Sequence, residues 1–125
     1  MARRKKNSQE EIVTSILDAM ADKKAWEPVV LDFTRLTGAL CDTFVICHGT
    51  SNTQVTAIAD HVITSVKKKT GINPWHLEGL KNAEWILIDY SDVVVHIFQE
   101  HRRRFYNLEH LWADAEIRRI DTVAN

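Results

Sequence analysis

Any chemistry in this chain would have to come from its histidines, its carboxylates and one glycine–hydroxyl turn. The six histidines are His48, His61, His76, His96, His101 and His110. None forms an H-x-x-x-H pair on a helix or joins a cysteine pair at zinc spacing, so no metal is assigned. His96 shares a strand face with Asp89 when residues 85–98 are read as a hairpin, and an imidazole–carboxylate pair can do acid–base work. No nucleophile accompanies them on that face. Partner recognition is therefore the favoured role of His96, with a hydrogen-bonded structural role close behind. Gly49-Thr50-Ser51 lies between a strand and a helix start, where backbone N–H groups can hold an anion. It lacks the glycine and lysine context of a phosphate loop. Nucleotidyltransferases add carboxylates at alternate strand positions to a similar turn, and no Asp-x-Asp follows here. Asp89 and Asp92 straddle a turn, while Asp114 and Glu116 are expected on a helix. Capping is the expected role of Ser51, and no catalytic residue or cofactor is assigned.

The segment that positions His96 and Asp89 is WILIDYSDVVVHIF, residues 85–98. A turn at Ser91-Asp92 pairs Tyr90 with Val93, Asp89 with Val94, Leu87 with His96 and Trp85 with Phe98. Side chains alternate along a strand, so Ile86, Ile88, Tyr90, Val93, Val95 and Ile97 share the core face. Trp85, Leu87, Asp89, Val94, His96 and Phe98 share the other. Large apolar groups with one carboxylate and one imidazole suit a dry interior poorly and a partner-binding patch well. A slip of one residue would mix the faces.

The surrounding elements read as α/β. Ser8 and Glu11 make a capping box for a helix bearing Ile12, Ile16 and Met20 and ending near Lys24. Pro28 closes a linker before a strand at 29–33; a turn at 37–40 leads to a second strand at 43–48. Ser51 and Gln54 cap a second helix with the stripe Val55, Ile58, Ala59, Val62, Ile63 and Val66. Lys67-Lys68-Lys69 suit its C-terminal dipole, and Gly71 its C-cap. His61 falls on the solvated side of that helix. Asn73–Gly79 reads as a loop before the hairpin. Residues 99–120 read as short helices, with Asn107 as a cap for Leu108. There Arg102-Arg103-Arg104 could read phosphates, or pack through their stems with one guanidinium paired to Glu109, and a solvated helical face is the favoured reading; Arg103, Arg104 and Tyr106 would rim the open hairpin face. Trp112, beside Leu108 and Leu111, reads as core. A strand–helix–strand crossover in this order predicts a mixed β-sheet with flanking helices.

At 125 residues one domain is expected, over residues 8–118, after a mobile basic start at 1–7 and before a tail at 119–125. A net charge of −1 gives no broad basic field for nucleic acid, and no apolar run approaches the ~20 residues of a membrane span. A cytoplasmic protein is expected. Cys41 and Cys47 sit along one strand, roughly 20 Å apart, too far for a disulfide.

In their order, Leu31-Asp32, Cys41-Asp42-Thr43-Phe44-Val45-Ile46, Gly49-Thr50-Ser51, Ala57-Ile58-Ala59-Asp60, Glu78-Gly79, Trp85, Asp89-Tyr90, Val93-Val94-Val95-His96-Ile97-Phe98, Arg104-Phe105-Tyr106 and Leu108-Glu109-His110-Leu111-Trp112 resemble the ribosomal silencing factors, or Iojap-like proteins. The resemblance spans residues 10–115. It implies a nucleotidyltransferase-like fold without the catalytic carboxylates. It also implies binding to the large ribosomal subunit through its interface protein uL14, which blocks small-subunit joining and represses translation when nutrients are scarce. Organellar relatives serve large-subunit assembly, and free members are often homodimers. The contacts would lie on the open hairpin face. A homodimeric scaffold using that same face is one rival; a nucleotidyl or phosphoryl transferase using the Gly49 turn is the other.

Overall fold

The computed structural model describes residues 6–36, 38 and 41–120. Residues 1–5 and 121–125 and most of the expected turn at 37–40 lie outside the described residues. Helix α1 (Lys6–Asp22) starts ahead of Ser8, so Ser8 sits inside its first turn instead of capping it, and Lys6 and Asn7 are helical. Helix α2 (Asn52–Thr70) is capped as expected: Ser51 Oγ accepts from Gln54 N at 3.1 Å, and Gly71 closes the far end at φ +77. Gln54 reaches back to Thr50 N at 2.8 Å, one residue ahead of the usual capping-box partner.

Among the described residues six strands form one sheet in the order β3-β4-β5-β2-β1-β6. They are β1 (Trp26–Asp32), β2 (Thr43–Gly49), β3 (His76–Glu78), β4 (Trp85–Asp89), β5 (Val93–Gln99) and β6 (Glu116–Arg119). Only β2 and β5 run parallel, and α2 lies in the crossover between them. The sheet is mixed, as its sequence predicts. Pro28 lies within β1 and does not close a linker; Glu27 at φ +48 and a register shift between Trp26 and Val29 make the irregularity that accommodates it. Two strands have no clear signal in the sequence. β3 occupies the expected loop and has three residues. β6 occupies an expected helix, takes in Glu116 and is exposed along its length. An edge strand exposed on both faces lacks apolar alternation, the main strand signal. Arg119 ends β6, so the ordered sheet reaches into the expected tail.

Each sheet face has its own core. Helices α1 and α2 cover the first, where Ile12, Ile16, Met20, Ile58 and Val62 meet Val45, Cys47, Ile86, Ile88, Val95 and Ile97. The second carries a smaller cluster, Val29, Leu31, Phe33, Ile46 and Phe98 with Leu108 and Ala115. It is covered by two short helices, α3 (Glu100–Tyr106) and α4 (Leu108–Leu111). Such partial cover leaves part of this face open.

Candidate docking face

The hairpin turns where the sequence places it. Tyr90 N donates to Val93 O at 2.8 Å, Ser91 takes φ +80, and Asp89 Oδ1 accepts from Ser91 N at 2.6 Å. Trp85 pairs with Phe98, Leu87 with His96 and Asp89 with Val94. The expected second face is therefore real, and β2 extends it by setting Phe44 beside Val94 and Ile46 beside His96.

Exposure on that face differs from expectation. Trp85, Leu87 and Asp89 are half-buried, but Phe98 is 1 % and His96 4 % exposed, and Val94 is buried too. Three neighbours that the hairpin alone does not reveal cover them. Phe44 from the parallel strand stands edge-on to His96 at 4.4 Å between centroids. Trp85 stacks on Phe98 at 4.8 Å, and Tyr106 of α3 closes on Trp85 at 4.7 Å. Leu108 of α4 joins the cluster of Phe98. Val94, His96 and Phe98 thus form the floor of the face, and the half-buried side chains form its surface.

The three arginines separate in the same way. Arg102 meets Glu84 at 2.8 Å, and the exposed Arg104 meets Glu27 at 2.8 Å and Glu100 at 3.3 Å. Those pairs fit the expected solvated face. Arg103, expected on the rim, is 2 % exposed. Its Nε donates to Glu109 at 3.2 Å, and its terminal nitrogen donates to His48 Nδ1 at 3.0 Å and to the Trp26 carbonyl at 3.3 Å. A guanidinium only donates, so His48 Nδ1 accepts and the ring is neutral. Burial, then the Arg103 charge, push the His48 pKa below its ordinary value.

Tyr106 is partly exposed and meets the ring of Phe105, itself 76 % exposed, edge-on at 5.1 Å. Trp112, expected in the core, is partly exposed with its ring edge-on to Phe33 at 5.3 Å and Phe44 at 6.4 Å. Aromatic groups therefore run from Tyr106 through Trp85, His96 and Phe44 to Trp112. Phe44 and Trp112 are the members that the sequence alone does not place there. Phe44 alternates with Ile46 along β2, but only the strand order sets it against Val94.

The other candidate groups have structural partners. Thr50 N and Ser51 Oγ of the glycine turn are both used by Gln54. His61 is not merely solvated: it meets Asp22 at 2.9 Å. Lys67 bonds the Gly71 carbonyl and Lys69 pairs with Asp18, as helix-terminal groups do. Cys41 and Cys47 are free thiols whose pKa burial pushes up to about 11 and about 12. Among the described residues no group of three or more metal-ligating side chains gathers.

His96 predicts a pH dependence. Its Nδ1 accepts the Trp85 indole N–H at 3.1 Å, and burial lowers its pKa from 6.5 to about 4. Unfolded chains thus bind a proton that the folded protein refuses between those values. Stability from this group is complete above pH 6.5 and is lost as pH falls to about 4, by about 3 kcal/mol. Urea midpoints across that window should fall more steeply for the native chain than for His96→Phe. Equal slopes would refute the assignment.

The fold is a mixed-sheet α/β domain with one helix-covered face and one aromatic, half-open face. The family model described as ribosomal silencing factor during starvation matches residues 5–125. Ribosomal silencing factors of Halalkalibacterium halodurans and Bacillus subtilis are 42 % and 40 % identical, over 93 % and 94 % of this chain and 97 % and 98 % of theirs. A crystal structure of a Chromobacterium violaceum protein superposes with a TM-score of 0.77 at 35 % identity, covering 83 % of this chain and 85 % of that one. The chain belongs to the ribosomal silencing factor family.

Proposed function

We propose that this protein is a non-enzymatic repressor of translation that docks on the large ribosomal subunit through uL14 and sterically blocks joining of the small subunit. The observation that carries this reading is the half-open second face, where Trp85, Leu87, Asp89 and Phe44 stand over a buried apolar floor. Family membership supplies the ribosome as target. Trp85 and Leu87, already half-buried, would supply about 1 kcal/mol each as their remaining surface is covered. Asp89 and His96 would fix the register of docking, with Arg104 and Tyr106 on the rim; Val94 and Phe98 support the anchors from below, and Arg103 holds the rim helix in place.

The reading places the protein in the cytoplasm, without cofactor or sequence-specific nucleic-acid contact. Among the described residues no helix is long and apolar enough to cross a membrane. Free protein would shield the same apolar face by forming a homodimer. Purified large subunits pre-mixed with the protein should carry it through a sucrose gradient and join added small subunits less. Undiminished joining at saturating protein would overturn the proposal.

A further inference from the structure

One buried atom of the docking face has no hydrogen-bond partner: Nε2 of His96. An indole nitrogen only donates, so Nδ1, which takes the Trp85 N–H at 3.1 Å, carries no proton. The proton of the neutral ring therefore sits on Nε2. This N–H is sealed from solvent and meets no acceptor among the described residues. Buried N–H groups are rarely orphaned, because the desolvation cost goes uncompensated. A phenyl ring would fill the same place without that cost, yet the chain carries imidazole at the centre of the face. His96 lies between β4 and β2, with the Trp85 ring at 5.9 Å on one side and the Phe44 ring at 4.4 Å on the other. Both flanking rings are half-buried; Trp85 is held by its bond to Nδ1, so the Phe44 ring is the one whose turn would open a path to the imidazole.

We propose that the His96 Nε2–H is kept for a main-chain carbonyl oxygen of the docking partner, which completes the hydrogen bond when the Phe44 ring turns aside. Side-chain rearrangement of this size is common when interfaces form. A neutral acceptor fits better than a carboxylate, since the ring has no charge to offer and Asp89 on the same face repels an anion. A site with an unpaired buried donor also rejects partners that lack the matching acceptor, so His96 acts as a specificity-determining residue. The inference rests on the docking reading above.

The test measures affinity for purified large ribosomal subunits with the full chain and three variants. His96→Phe removes the donor and keeps the volume. His96→Asn can still accept from Trp85 but loses the far donor, and His96→Gln sets an amide N–H near the place of Nε2. Phe and Asn are expected to bind about tenfold more weakly, with melting temperature of the Phe variant at or above native, and Gln to recover most of the loss. Native-like binding by the Phe and Asn variants overturns the carbonyl assignment, as does a Gln loss equal to that of Phe. If Phe fails to fold, the Asn–Gln comparison decides. Failure of the native chain to bind large subunits overturns the docking reading itself, and this inference with it.

Discussion

Leu87→Asp should release the protein from large ribosomal subunits while its circular dichroism and melting temperature stay close to native. Leu87 is half-buried on the second face, paired across the hairpin with His96. In the free protein an aspartate there stays hydrated, so the fold tolerates it. On docking, burial of the half of the leucine still exposed is lost, about 1 kcal/mol. A second carboxylate must also be stripped of water near Asp89, which costs more. The sum is roughly a hundredfold or greater loss of affinity, read as loss of co-sedimentation at protein concentrations that saturate the native complex. Retained co-sedimentation by the folded variant would remove this face from the mechanism. Phe98→Ala makes a poor substitute: with 1 % exposure it opens a core cavity and loses about 3–5 kcal/mol of stability. Trp85→Ala removes the indole that stacks on Phe98 and donates to His96, which mixes binding with support.

The contrast between Leu87 and Phe98 shows how far sequence reading reaches. Alternation along 85–98 places both on one face, and the two-residue turn fixes the pairing, because these are local signals. Burial on that face is not local. It depends on β2 lying parallel beside β5, which brings Phe44 over His96, and on α3 and α4 folding back over Phe98. Periodicity reports which side a residue faces but not what lies against that side. Edge strands expose the same limit. β6 contributes Ile117 opposite Leu31, yet its exposed residues make no pattern, and its pairing with β1 is long-range. By contrast, α2 was legible to the residue at both ends, because a serine cap and a left-handed glycine leave their signature within one turn. Ser8 does not cap α1, because the helix continues upstream into residues without an apolar pattern.

Arg103→Met should destabilise the protein by about 3–5 kcal/mol, whereas Arg104→Met should cost less than about 1 kcal/mol. The two arginines are adjacent and identical in type, and nothing in the run Arg102-Arg103-Arg104 distinguishes them. Burial does. Arg103 is 2 % exposed and its ion-pair partner Glu109 is largely covered, while Arg104 and its partners Glu27 and Glu100 are about half exposed. Removing the Arg103 guanidinium leaves Glu109 facing an uncharged neighbour, and leaves His48 Nδ1 and the Trp26 carbonyl without their donor. Glu109 and His48 are largely covered groups stripped of their partner, which costs far more than a surface pair gains. The charge itself is not what the fold requires. In an Arg103→Met, Glu109→Leu double variant, neither ion remains to be desolvated, and much of the lost stability should return. Urea unfolding of the native chain, both single variants and the double variant closes the cycle. Additive losses would show that the pair does not couple.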